Sequence, residues 1–274
     1  MSDIVKIIEA KDKFSWSDLS EILKYRELLY FLTWRDLKVR YKQTVIGVAW
    51  VLFQPFISMV VFTIFFGNFA KMPTDGAPYP IFVFIGLLFW QFFSSALADI
   101  SNCLIANQNI ISKVYFPRII LPLSMILTRL VDLLVASGML IILMIYYRFL
   151  PGLTGFIVFP ILVLISALAA LGLGLFFASL NVRYRDVRYI LPFFIQLLMF
   201  VTPVVYSSSI LGNYGWILAF NPIAGVIKTA RSEFLHSYAT NWLQFGFSIA
   251  ACLAIFMIGW LCFRAVEKHS VDTI

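Results

Sequence analysis

Charge is what this chain has least of. Only 13% of its 274 residues are charged and there are 14 carboxylates in all, where a soluble domain carries about 25% charged residues. Histidine is nearly missing, with two residues, and the three cysteines, Cys103, Cys252 and Cys262, show no C-x-x-C spacing and have no histidine cluster beside them. No metal site and no disulfide framework is therefore expected. No G-x-x-x-x-G-K-[ST] loop occurs, so the chain is not expected to hydrolyse ATP. H-E-x-x-H, G-x-S-x-G and a paired-carboxylate site are equally missing, and with them the common hydrolase chemistries. The opening M-S-D-I-V-K-I-I-E-A-K-D-K mixes both signs and has no apolar h-region, so no secretory leader is expected.

What the chain does have is apolar surface: 61% hydrophobic residues and a mean hydropathy of +0.91. Six runs are long enough to cross about 30 Å of hydrocarbon. They are 46–68, 79–98, 119–147, 155–180, 189–206 and 245–263, the fifth only just. The stretch 216–227 is about 12 residues, too short to span, and Asn221-Pro222 interrupts it, so a re-entrant or interfacial pair of short helices fits. A seventh span there, which would put the C-terminus outside, is the competing reading.

The net charge of +7 would suggest nucleic acid in a soluble protein. Here the basic residues sit at span ends and read as topology determinants beside anionic headgroups, so no nucleic-acid partner is expected. Lys24, Arg26, Arg35, Lys38, Arg40 and Lys42 precede the first span. Lys113 and Arg118 follow the second, Arg183, Arg185 and Arg188 the fourth, and Arg264 and Lys268 the last. The opposite side holds only Lys71, Arg148, Lys228 and Arg231. By the positive-inside rule both termini are cytoplasmic, although Lys228 and Arg231 also suit the seven-span alternative. The expected architecture is an all-α integral membrane protein: six transmembrane helices, an N-terminal amphipathic interface helix and re-entrant short helices between spans five and six. Residues 1–45 form a cytoplasmic segment with that interface helix, 46–263 the transmembrane domain and 264–274 a cytoplasmic tail.

Between spans, 99–117 reads D-I-S-N-C-L-I-A-N-Q-N-I-I-S-K-V-Y-F-P, with Leu104, Ile105, Ile110 and Ile111 among polar residues. It fits either a short helix offering apolar knobs to another protein or an ordinary interfacial loop. L-N-V-R-Y-R-D-V-R-Y at 180–189 is a basic turn, read as a positive-inside anchor or as a contact for a partner or for lipid phosphates. Asp132 is the one clearly embedded acid, three residues after Arg129 on the same helix face. A structural ion pair is the favoured reading, a gating or substrate contact the other. One self-paired carboxylate is a poor basis for ion-coupled transport, so the driving force is expected from outside the chain. Aromatics lie inside spans as well as at their ends, including Trp50 and Phe53 in the first and Phe193, Phe194 and Phe200 in the fifth. Packing against lipid explains most of them; stacking on sugar rings, beside the polar Gln54, Ser58, Gln196 and Thr202, is the functional alternative.

The run W-R-D-L-K-V-R-Y-K-Q-T-V-I-G-V-A-W-V-L-F-Q-P resembles the segment that opens the membrane subunit of ABC-2-type polysaccharide exporters. Arg40, Tyr41, Gly47, Trp50 and Pro55 hold the positions of its R-Y…G-x-x-W-(x)₄-P pattern, with Thr44 where many members have Ser. The blocks N-Q-N-I-I-S-K-V-Y-F-P-R-I-I-L-P, N-V-R-Y-R-D-V-R-Y-I-L-P, T-P-V-V-Y and N-P follow in order over nearly the whole chain.

The resemblance implies the inner-membrane permease of an O-antigen, teichoic acid or capsule exporter, most like the O-antigen permease. It would be a homodimer working with two copies of a separate P-loop ATPase, which binds the ATP and magnesium, so this chain binds no cofactor. It further implies a coupling helix docking on that ATPase through Leu104, Ile105, Asn109, Ile110, Lys113 and Val114. Arg40, Lys42, Arg183 and Arg185 would attract the pyrophosphate of an undecaprenyl-linked polysaccharide. Spans one and five would line a conduit at Trp50, Phe53, Gln54, Phe194, Gln196 and Thr202. The segment 211–227 would gate its outer end through Tyr214, Trp216, Asn221 and Pro222. An ABC-2 permease for a drug or a glycan-free lipid stays open, as does a membrane scaffold or channel that needs no ATPase.

Overall fold

The computed structural model describes residues 23–42, 47, 49–149, 152–184, 186–235 and 240–269. Among them there is no strand. Five helices are long and apolar enough to cross a membrane. In chain order the elements are α1 (Arg26–Lys42), α2 (Ala49–Phe62), α3 (Tyr79–Ala106), the short α4 (Gln108–Ile111), α5 (Ile120–Tyr146), α6 (Leu153–Arg183), α7 (Val187–Val201), a 3₁₀ run (Ser208–Phe220), α8 (Pro222–Leu235) and α9 (Trp242–His269).

Several of these bounds differ from the apolar runs, each for a local reason. α2 continues through a π-helical stretch, Thr63–Phe69, and so reaches spanning length. α3 does not stop where the apolar run stops at Ala98. Ile100, Cys103 and Leu104 recur at helical spacing and are buried, which carries the helix through Asp99 to Ala106. α7 ends at Val201 instead of reaching Tyr206. Pro203 pushes the preceding Thr202 into an extended conformation, φ −87° and ψ 132°. At 15 residues α7 is about 22 Å long, below the thickness of a typical hydrocarbon core.

α3 and α6 form the centre. α3 packs against α6, α5, α8, α2 and α7, and α6 also against α9 and α8. α3 is buried over most of its length, whereas α2 is almost entirely on the surface, with Trp50, Phe53, Phe65 and Phe69 exposed. A second, smaller core closes one end of the bundle. There Leu32 of α1, 1% exposed, inserts among Cys103, Leu104, Phe116, Ile120, Leu121, Leu175, Ala178 and Phe263. Tyr30, Phe31 and Trp34 of α1 stay on the outside, as aromatics at a headgroup boundary do.

Helix pairs in lipid gain nothing from excluding water, so they depend on close backbone approach. α6 and α9 achieve it at glycines. A Cβ on Gly259 would land on the carbonyl of Gly172, and one on Gly172 would come within 2.7 Å of the Phe256 Cα. Gly259→Ala is expected to lower the thermal midpoint of the purified protein sharply, a cost of about 1–3 kcal/mol or more. Gly246→Ala on the same helix, where a Cβ meets nothing within 4 Å, is expected to leave it unchanged. Equal midpoints for the two would contradict this packing.

Candidate functional site

Four helix segments converge on one cavity of about 470 Å³. α1 contributes Arg40 and Tyr41 at its C-terminal turn, and the connection after it Gly47. Gly47 has φ +54°, a conformation that glycine adopts without the Cβ penalty. α2 contributes Trp50, Val51, Gln54 and Pro55; α3 Leu88, Gln91, Phe92 and Ser95; α5 Arg129, Asp132, Leu133 and Ala136. The α3 residues lie on one stripe by their spacing of three and four, and Asp99 extends it.

At the α1 end, four charges close a ring of alternating sign. Arg40 donates to Asp132 at 2.6 Å and to Asp99 at 3.2 Å. Arg129 donates to Asp99 at 2.7 and 3.1 Å and to Asp132 at 3.2 Å. The Tyr41 hydroxyl also donates to Asp132. Burial first, and then the hydrogen bond and charge of Asp132, hold the Tyr41 phenol well above its ordinary range, so it remains a donor. The Arg129–Asp132 pair read from i,i+3 spacing is present, but as half of a larger unit. Asp99, read as a loop residue, sits on a spanning helix, and Arg40, read as a phosphate contact, binds two carboxylates. Extending the 88–92–95 stripe one step to Asp99 is the sequence signal that would have found the ring.

α1 is fastened to the end of α3 at a second point, where Arg35 donates to the Asn107 side chain at 2.9 Å. Beyond Asn107, the residues expected to face an ATPase divide. Asn109, Lys113 and Val114 are exposed, Ile105 and Ile110 are half-buried, and Leu104 is buried in the second core. Tyr115, which the sequence reading did not single out, is 65% exposed.

The residues expected along a conduit separate too. Trp50 and Gln54 line the cavity, and the Phe53 ring lies 5.7 Å from Trp50. Phe194 packs on Phe177 of α6, 5.3 Å between rings, while Gln196 is exposed. Thr202 is fully buried. It accepts a hydrogen bond from Asn221 at 2.9 Å. The Asn221 side chain in turn accepts from the amides of Ile223 and Ala224, capping α8 with Pro222 at its first position. Two expected sites therefore meet at one joint. Trp216 is exposed, edge-on to Phe220. Lys42 and Arg183 are exposed. Arg185 and the Tyr214 side chain lie outside the described residues.

Arg231 is the residue that the sequence misrepresents most. Read as a loop charge, it is 2% exposed within α8. Its guanidinium donates to the carbonyls of Phe82, Pro203, Tyr206 and Val204 at 2.6–3.2 Å and lies 3.6 Å from the Phe82 ring centre. It is an internal staple joining α3, the T-P-V-V-Y segment and α8. As such it no longer weighs as a surface charge in counting spans.

These features define a multi-pass helical membrane protein whose α1 is tied by Arg35 and Arg40 to the end of α3. Residues 27–235 match the family model described as ABC-2 type transporter, and the chain belongs to that family. It is 29% identical over 211 residues to an O-antigen export system permease protein, RfbA, of Klebsiella pneumoniae, covering 77% of this chain and 81% of that one. The Myxococcus xanthus RfbA permease is 30% identical over 217 residues, 78% and 82% of the two chains. The polysialic acid transport protein KpsM of Escherichia coli is 22% identical over 243 residues, 85% and 91%.

Proposed function

We propose that the chain is the permease subunit of an ATP-driven exporter that carries an undecaprenyl-linked polysaccharide, O-antigen in the first instance, across the bacterial inner membrane. The observation that carries this reading is the pair of cargoes in the relatives' names. O-antigen and polysialic acid differ in their sugars, yet both are polysaccharides, and both sets of relatives align along most of this chain.

In this reading α2, α3, α5, α6, α7 and α9 are six spans. The 3₁₀ run and α8 form a re-entrant gate on the outer side, and both termini are cytoplasmic. Two copies pair, with the exposed aromatic faces of α2 and α7 lining the path between them. A separate P-loop ATPase docks on the exposed Asn109, Lys113 and Val114, joined by Tyr115. Leu104, buried behind them, passes the push into the second core. Because Arg35 holds Asn107 and Arg40 holds Asp99 and Asp132, α1 moves with the end of α3. Gly47 then serves as the hinge through which that movement reaches α2. Lys42, Arg183 and Arg185 draw the pyrophosphate to the membrane surface, with Arg40 held in the ring.

The test is co-purification with the P-loop ATPase encoded beside the chain, then ATP hydrolysis with and without an undecaprenyl-pyrophosphate-linked glycan. A two-plus-two complex stimulated several-fold by the glycan is expected. Stimulation by apolar drugs and not by glycan would move the assignment to a drug or lipid exporter, and the absence of any ATPase partner would refute both.

A further inference from the structure

We propose that, given the reading of the 3₁₀ run and α8 as the outer gate, Asp75 is the residue that positions it. The Asp75 carboxylate, in the turn between α2 and α3, clasps Ser207 at the base of the 3₁₀ run and must release it for the gate to open. The backbone that leads into the run is fixed. From Pro203 to Tyr206, four consecutive carbonyls each accept a hydrogen bond from a side chain outside the segment. Arg231 of α8 donates to those of Pro203, Val204 and Tyr206, and the Tyr79 hydroxyl of α3 to that of Val205 at 2.7 Å. Ser207 comes next and is 2% exposed. Its hydroxyl donates to the Asp75 carboxylate and accepts from the amide of Ser209 at 3.2 Å and from the Ser209 hydroxyl at 2.9 Å. A serine hydroxyl has one proton and two lone pairs, so all of its bonding capacity is used. Because a carboxylate only accepts, Asp75 takes the proton and turns both lone pairs toward Ser209, where they cap the first turn of the run.

The pieces on either side are rigid. Asp75 sits in a tight turn, 74–77, closed by the Ala77 amide on the Thr74 carbonyl at 3.3 Å and the Thr74 hydroxyl on the Ala77 carbonyl at 2.6 Å. Asp75 and Gly76 take φ of +54° and +90°, a left-handed pair that an Asp-Gly turn accommodates. The far half of the gate is held by α9. There the Gln244 side-chain amide donates to the Gly215 carbonyl at 3.1 Å, and the Ser248 hydroxyl to that of Ala219 at 3.2 Å. Between these bodies lies 208–212. Ser209 and Ile210 are exposed, and among the described side chains the hold on this arm is the Ser207 cap that Asp75 orients. Gly212 ends it with φ 47° and ψ −121°. A Cβ on Gly212 would meet nothing within 4 Å, so this glycine supplies backbone freedom and not packing. A short arm with a hinge at one end and a clasp at the other can swing while both neighbours stay in place.

The first measurement is hydrogen exchange, read by mass spectrometry, on the complex purified without nucleotide or glycan, so its outcome does not depend on the export reading. Asp75→Ala and Ser207→Ala are each expected to speed exchange of the amides of 208–212 at least fivefold. Those of α8, which Arg231 holds, are expected to stay unchanged. Equal exchange in 208–212 for the wild type and both variants would overturn the proposal. Faster exchange in α8 as well would also overturn it, since the bundle as a whole would then have loosened. The second measurement joins the two residues as Asp75→Cys with Ser207→Cys, beside each single cysteine under the same oxidant. The oxidised double variant is expected to export less than a tenth of the glycan that the wild type does, with the ATPase still bound, and to recover on reduction. Wild-type export with the disulfide formed would show that the gate opens without releasing Ser207. Should the wild-type complex itself export no glycan, the export reading fails alone, because the exchange result still decides the clasp.

Discussion

Arg231→Met is expected to leave the protein aggregated, or melting far below the wild type, when extracted in mild detergent. Methionine preserves the apolar stem but donates no hydrogen bond. The carbonyls of Phe82, Pro203, Val204 and Tyr206, which Arg231 now satisfies, would be left without that donor. Each buried polar group so orphaned costs about 1–3 kcal/mol, so losing two or three removes much of a total stability of about 5–15 kcal/mol. Lysine offers one compact ammonium in place of a planar fork and is expected to recover only part of the loss. Gly86→Ala should act in the same direction, because its Cβ would come within 2.6 Å of the Val204 carbonyl and 2.7 Å of the Arg231 guanidinium. Size-exclusion profiles and tryptophan-fluorescence melts measure this directly. A monodisperse Arg231→Met protein with an unchanged midpoint would show that the staple does not hold this end of the bundle.

Asp132→Asn is expected to cut polysaccharide export at least tenfold while the ATPase still binds. Asparagine keeps the shape of the side chain but leaves Arg40 and Arg129 facing Asp99 alone. Removing one partner of a fully buried ion pair costs about 3–5 kcal/mol. The ring side chains retain 14–29% of their exposure, so water screens part of the loss and about 1–2 kcal/mol is the fitting scale. The functional effect is larger than the thermodynamic one, because the ring ties α1 to α3. A double-mutant cycle separates the two. If Arg40→Gln and Asp132→Asn act through one ring, the double variant exports about as poorly as either single one, and their stability losses fall short of additive by on the order of 1 kcal/mol. Additive losses, or export by Asp132→Asn at the wild-type level, would contradict a mechanical role for the ring.

Five of the six apolar runs correspond to helices long and apolar enough to cross a membrane, because hydrocarbon thickness imposes a length that the sequence must meet; the run 189–206 instead became the 15-residue α7, cut short before Pro203. The basic, aromatic entry segment and the Arg129–Asp132 pair were legible for the same reason: both are local in sequence. What was not legible depends on contacts between distant residues. Asp99 is the first polar residue after an apolar run and reads as the start of a loop. Only the second core, assembled from α1, α3, α5, α6 and α9, shows why the helix continues past it. Arg231 carries no local mark of burial, since its acceptors are carbonyls that lie 25 to 149 residues away along the chain. Leu104 looks like a knob for a partner until Leu32 and Phe116 are seen beside it. Thr202 and Asn221 were assigned to separate sites, and the hydrogen bond between them is visible only once Pro203 has ended α7.

The measurement that bears most directly on export is polymer localisation after deletion of the gene from its host. Loss of surface polysaccharide, with lipid-linked polymer accumulating inside the cell and both effects reversed by the wild-type gene, is the predicted result. Surface polymer at the undiminished level in the deletion strain would contradict the assignment.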